Sequence, residues 1–215
     1  MARLSGVFGF YRRRNAQRRI VMGNARKSDR MIFTLSRCGI LAAMAVILYY
    51  IEIPVVAFYK LDISALPGLL AGFAMGPIEG LSIILVKNLV HLFGTSTAGV
   101  GEFADCLMSG VFVLISSLLY KGNKTRKGAL ISMIAGILSM MVAGVLVNYF
   151  ILIPAYQKLF HMDVNAILAM AGVNGVDTLL KLVLMVTAPF NLLKGTVISA
   201  ITFLLYKRLS PLLHQ

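Results

Sequence analysis

Asn191 and Lys194 stand three residues apart inside the apolar run "APFNLLKGT", so they share one face of a helix. A charged side chain near a bilayer centre costs roughly 2.5–3.5 kcal/mol on insertion scales, and no acid neighbours Lys194 in sequence to neutralise it. Two uses of the pair fit. It glues its helix to another through an interhelical hydrogen bond, or it lines a buried pocket. In a pocket, Lys194 donates to the ligand while the Asn191 amide, both donor and acceptor, suits the edge of a heterocycle.

Two further pairs sit at i,i+4. Asp177 and Lys181 read as an intrahelical ion pair near the outer interface. Lys87 either snorkels outward or pairs with Glu102 or Asp105, and His91, one turn on, reads as a hydrogen-bonded interface residue or a ligand contact. Lys60, Asp62, Ser64, Thr95, Ser96, Thr97, Glu102, Asn148, Tyr149, Tyr156, Gln157, Asp163 and Asn165 gather toward the same end. Enzyme signals are thin: no GxSxG, HExxH, paired-Asp or Walker A motif is present, so the expectation is no enzyme and no cofactor. "GVGEFA" is too weak for a phosphate cradle. Cys38 and Cys106 lie in apolar helical contexts without CxxC or Cys/His spacing and read as small packing residues.

The elements that must hold these groups are membrane helices. The 215 residues are 59% hydrophobic and 13% charged, against about 45–50% and about 25% in soluble domains, which marks an all-α polytopic membrane protein. With no Trp, Tyr and Phe must supply any aromatic belt. Breakers divide the chain into six helices, about Phe33–Ile53, Ser64–Met75, Ile78–Phe93, Glu102–Tyr120, Gly128–Ile153 and Val176–Arg208. Pro54 and Pro154 end the first and fifth, and the second is too short for a full span. Residues 1–30 form a tail with nine Lys/Arg and one acid, carrying +8 of the net +13. "YKGNKTRKG" and "YKRLS" are also basic, and six spans put all three segments on one side, the cytoplasm by the positive-inside rule. The tail touches anionic lipid rather than nucleic acid on this reading; a transit-like segment or a start at Met22 or Met31 are other accounts of it. The domain reading is a tail at 1–30, a membrane domain at 31–208 and a short cytoplasmic end at 209–215.

"FYKLDISALPGLLAGFAMGPIEGLSIILVKNLVHLF", "GVGEFAD", "NYFILIPAY" and "PFNLLKG" together resemble the riboflavin-specific S components, the RibU family, of energy-coupling factor (ECF) transporters. The resemblance runs from about Leu35 to Arg208. It implies a six-helix S-component fold in the bacterial plasma membrane, capturing riboflavin outside and delivering it through a transmembrane coupling subunit (EcfT) driven by two ATPases. It implies flavin contacts from Asn191 and Lys194 of "NxxK", from Asn148, and from Lys60, Leu61 and Asp62 of "KLD"; the ribityl hydroxyls of such a ligand need polar partners, which the outward loops offer, Glu102 and Tyr156 being the expected binding residues there. The docking motif on the first helix is matched by Gly39 and Ala43 in "CGILAAMA", with Gly where Ala is more usual. Rival readings are an S component for another vitamin, an ion-coupled solitary carrier, and an intramembrane enzyme using Lys87, His91 and Glu102.

Overall fold

The computed structural model describes residues 31–213 except 57, 58 and 174; the basic tail lies outside the described residues. The described residues from Ile40 onward belong to one compact unit. Among the described residues five helices are long and apolar enough to cross a membrane.

Helix α1 is Met31–Tyr49. It stops four residues before the expected end, because Ile53 opens a strand. Strand β1 (Ile53–Val56) pairs antiparallel with β2 (Tyr59–Leu61), Ile53 opposite Leu61 and Pro54 opposite Lys60, with an irregular register between Pro54 and Val56. The expected first loop is therefore a hairpin. Helix α2 (Leu66–Ala74) is nine residues long and almost wholly buried, well under the about 20 residues of a spanning helix. Helix α3 (Pro77–His91) starts after Gly76, whose φ of 146° suits a residue without Cβ. A 3-10 turn, Leu92–Gly94, extends it. Helix α4 (Val100–Gly122) follows Gly99, which is in the left-handed region at φ 86°.

Helix α5 opens at Arg126, where Thr125 accepts a hydrogen bond from the Gly128 N–H at 3.0 Å as N-cap. Pro154 does not end it. The helix runs on through a π-helical turn at Asn148–Leu152 into Ile153–Leu159, and the widened turn accommodates the proline ring. Helix α6 (Val164–Ala171), capped by Asp163, fills what read as a loop. Helix α7 starts at Leu179 rather than Val176. It passes a second π-helical turn at Val183–Thr187 and continues as Ala188–Leu213. Asp177 thus precedes the helix; its ion pair with Lys181, 2.7 Å and exposed, spans the Thr178 N-cap instead of lying within a helix.

The core joins α2, α3, α4, α5 and α7 through Leu69, Phe73, Ile84, Phe112, Val113, Met133, Met140 and Ile198, with Phe73 stacked on Tyr120 at 4.2 Å. Ala42 and Ala45 of α1 pack on Ala71 and Ile83. Small residues set the helix spacing, as in membrane bundles generally. Gly136 of α5 lies directly against the Ser116 hydroxyl and within 3.0 Å, at its Cβ position, of the Phe112 carbonyl.

Gly136→Val should therefore lower the thermal unfolding midpoint of detergent-purified protein, since overpacking costs about 1–3 kcal/mol. Gly122→Val, where the added carbon meets nothing within 4 Å, should leave the midpoint unchanged; equal midpoints in the two variants would contradict this packing.

Candidate functional site

Beneath the hairpin, four charged side chains from four parts of the chain meet. Lys194 of α7 donates to Asp62 Oδ2 at 2.6 Å and to Asp105 Oδ1 at 2.9 Å. Lys87 of α3 donates to Asp105 Oδ2 at 2.7 Å and to the Ser64 hydroxyl at 2.6 Å, and stands 4.3 Å over the Tyr49 ring. Asn88 and Ser109 complete the Asp105 carboxylate at 3.2 and 3.0 Å. Each of its oxygens then accepts two hydrogen bonds, near the four-acceptor capacity of a carboxylate. Asp62 also accepts from the Ser64 backbone N–H at 2.9 Å and from its hydroxyl. All four charged groups are buried.

Lys194 is thus neutralised after all, by acids 132 and 89 residues away in sequence. Burial raises the Asp62 carboxyl, but Lys194 and Lys87 outweigh it and hold the group below the usual carboxylate range. Its stabilising effect is therefore fully present above about pH 4 and fades as pH falls through the lowered value.

One helical turn nearer the α3–α4 connection lies a second polar level. His91 Nδ1 donates to Glu102 Oε1 at 2.9 Å, and the Thr95 and Thr97 hydroxyls donate to Glu102 Oε2 at 2.9 Å each. Tyr49 stacks on the His91 ring at 3.9 Å. Glu52 bonds Lys60 at 2.5 Å across the hairpin.

The third element is Tyr59. Its hydroxyl donates to Asn148 Oδ1 at 3.1 Å and pairs with the Thr187 hydroxyl, and its ring lies 5.0 Å from Phe190. Burial pushes the phenol up to about 12, the Thr187 bond partly offsetting it, so it stays protonated at neutral pH. Its contribution to stability is lost only as pH rises from about 10 through that value.

These groups line a cavity of about 120 Å³, room for about four waters at liquid density. Tyr49, Tyr59, Tyr156, Phe190, Met108, Leu152 and Ala104 give it apolar walls. Lys194, Asp62 and Asp105 line it at the level of the buried ion pairs, Glu52, Lys60, His91, Ser96, Thr97 and Glu102 at the second polar level, and Asn148 beside Tyr59. Four carboxylates face two lysines there, an arrangement that favours an uncharged ligand rich in donors over an anion.

Residues 33–206 match the family described as ECF transporter, substrate-specific component. The chain belongs to this family. Its relatives include the riboflavin transporter RibU of Staphylococcus aureus (strain TCH60), 32% identical over 94% of this chain and 99% of that protein. The riboflavin transporter FmnP of Bacillus subtilis (strain 168) is 27% identical over 82% and 92%. A solved structure of the S component of a bacterial ECF transporter superposes with a TM-score of 0.67 at 32% identity, covering 85% of this chain and 98% of that one.

Of the residues singled out in sequence, this S component brings Lys60, Asp62, Glu102, Asn148, Tyr156 and Lys194 to one cavity. Leu61 and Asn191 are not among its lining residues. Asn191 is buried against Gly144 of α5. Its amide N–H donates to the Thr187 carbonyl at 2.9 Å, leaving Oδ1 without a hydrogen-bond partner. Gly39 and Ala43 are both exposed on α1. Sequence reasoning passed over Tyr59, Thr187 and Phe190, and left Asp105 only as one option for Lys87. The spacings held a signal for Asp105. Lys87 and His91 on α3, four apart, face Asp105 and Glu102 on α4, three apart, across a short connection, so each pair supplies one rung at each level.

Breaking one partner out of a buried ion pair costs about 3–5 kcal/mol. Asp105→Leu should destabilise by that order in thermal or denaturant unfolding. Asp105→Leu with Lys87→Met removes one charge of each sign, leaves Lys194 on Asp62, and should recover at least half of the loss. A strictly additive double variant would contradict the coupling.

Proposed function

We propose that this S component captures riboflavin in the cavity under the hairpin and delivers it inward with an ATP-driven ECF coupling module, with no catalytic step of its own. The observation that carries this reading is a charge-paired lysine, Lys194, that still lines an aromatic-walled cavity, which the Asn148 amide lines too. A flavin ring is apolar on both faces and polar along its pyrimidine edge. The Tyr and Phe walls suit the faces, and Lys194, Asp62 and Asn148 suit the edge. The Thr97, Ser96 and Glu102 level offers acceptors and donors to the ribityl hydroxyls. The excess of carboxylates suits a neutral vitamin.

Tyr59 of the hairpin lines the cavity and bonds to Asn148 and Thr187, so binding displaces the hairpin and the loop closes again over the ligand. Asn191, next to Thr187, takes part by pairing its free Oδ1 once the ligand opens that contact, and Leu61 follows the hairpin. The chain crosses the plasma membrane six times, α2 being the partial span, with both termini and the basic segments at 121–127 and 207–208 in the cytoplasm. Gly39 and Ala43, on one exposed face of α1, let a helix of the coupling subunit approach closely; that subunit (EcfT) and two ATPases complete the importer.

Protein purified from cells grown with riboflavin should carry it, identifiable by absorption and mass; a different vitamin in the eluate would replace riboflavin in this reading. Asp62→Leu with Lys194→Met keeps the buried charges balanced through Lys87 and Asp105. It should stay folded while binding riboflavin at least about tenfold more weakly, about 1.4 kcal/mol, by calorimetric titration. Unchanged affinity would place the ligand elsewhere.

A further inference from the structure

Pro154 and Pro189 each stand two residues beyond the end of a π-helical turn, Asn148–Leu152 in α5 and Val183–Thr187 in α7. A proline inside an α-helix lacks its N–H, and its ring collides with the carbonyl four residues back, here that of Phe150 and of Met185. A π turn adds one residue to the turn and moves that carbonyl aside. The added residue also rotates all that follows by roughly 100° relative to an unbroken α-helix.

That rotation is what brings the site together. Asn148, Leu152 and Tyr156 all line the cavity, yet residues eight apart on an α-helix diverge by roughly 80°. With one residue absorbed in the π turn, the interval from Asn148 to Tyr156 counts as seven, about two full turns, and both side chains reach one face. The same interval separates Leu182 and Phe190 across the turn in α7, and both pack in the cluster around Tyr59. The Tyr59 hydroxyl then ties one turn to the other, through Asn148 at the start of the first and Thr187 at the end of the second.

We propose that Pro154 and Pro189 are positioning residues for the substrate cavity, each holding a one-residue π turn, the first aiming Asn148 with Tyr156 and the second aiming Phe190 at the bound molecule. The proposal rests on the riboflavin reading for its ligand.

Pro154→Ala and Pro189→Ala, made in the full-length protein in detergent, test it through two readouts. Alanine lets each helix close into an unbroken α-helix, so riboflavin affinity should fall at least tenfold in each variant. Amide exchange across 148–152 or 183–187 should slow as the regular ladder forms. Affinity within twofold of the unsubstituted protein overturns the proposal, as does exchange that stays the same or quickens, or failure to fold, which would make the prolines purely structural. If the unsubstituted protein binds no riboflavin, the functional reading fails. The exchange measurement then still decides whether the prolines hold the π turns.

Discussion

The Asp105 carboxylate is the point on which the bundle turns. Its two oxygens accept from Lys87 and Asn88 of α3, Ser109 of its own helix and Lys194 of α7, so one side chain fixes three spanning helices at one depth. Asp62 supplies the second negative charge from the chain between β2 and α2, and the four charges sum to zero. Such neutrality is a condition for ions at membrane depth. A lone ammonium there is costly, whereas a set in which every donor has an acceptor is tolerated and specifies one arrangement. Because Lys194 is held by two acids on one side, its remaining surface can face a cavity without its charge being stranded.

The cavity follows from this arrangement. Asp62, Asp105 and Lys194 of the quartet set one polar level, Glu102 with its three donors sets the other, and aromatic side chains and Asn148 complete the lining. Tyr59 reaches down from the hairpin to Asn148 and Thr187, so the element closing the cavity is bonded to the helices forming its floor. On the proposed function, loading and closure are linked: a ligand that pairs with Asn148 competes directly with the Tyr59 phenol.

Much of this was legible in the sequence. The composition, the apolar runs and the ordered motifs gave the helical membrane class and part of the polar lining of the cavity. The i,i+4 spacing of Lys87 and His91 pointed to two levels on one face. What escaped has physical causes. Pro154 read as a stop because proline ordinarily breaks an α-helix, and a π turn leaves no mark in hydropathy. "IEIPVVAFYKL" carries a proline and no tight-turn dipeptide, so its hairpin was hidden. The partners of Lys194 come from 132 and 89 residues away, and no local spacing announces a contact of that range. Asn191 shared a predicted face with Lys194, but its amide packs on Gly144 instead, a neighbour set by helix packing rather than by its own helix.

The central claim is that the charge-balanced cluster around Asp105 is the floor against which the vitamin's polar edge rests. A crystal structure of the riboflavin-bound protein tests it most directly. The ring should lie between Phe190 and the α4–α5 wall, with its pyrimidine edge within hydrogen-bond distance of Lys194 or Asn148, while Lys87 and Lys194 keep their bonds to Asp105. A flavin found in the apolar groove that Ile134 and Leu138 of α5 form with Leu192 and Phe203 of α7, or a ligand that pulls Lys194 away from both acids, would contradict the account.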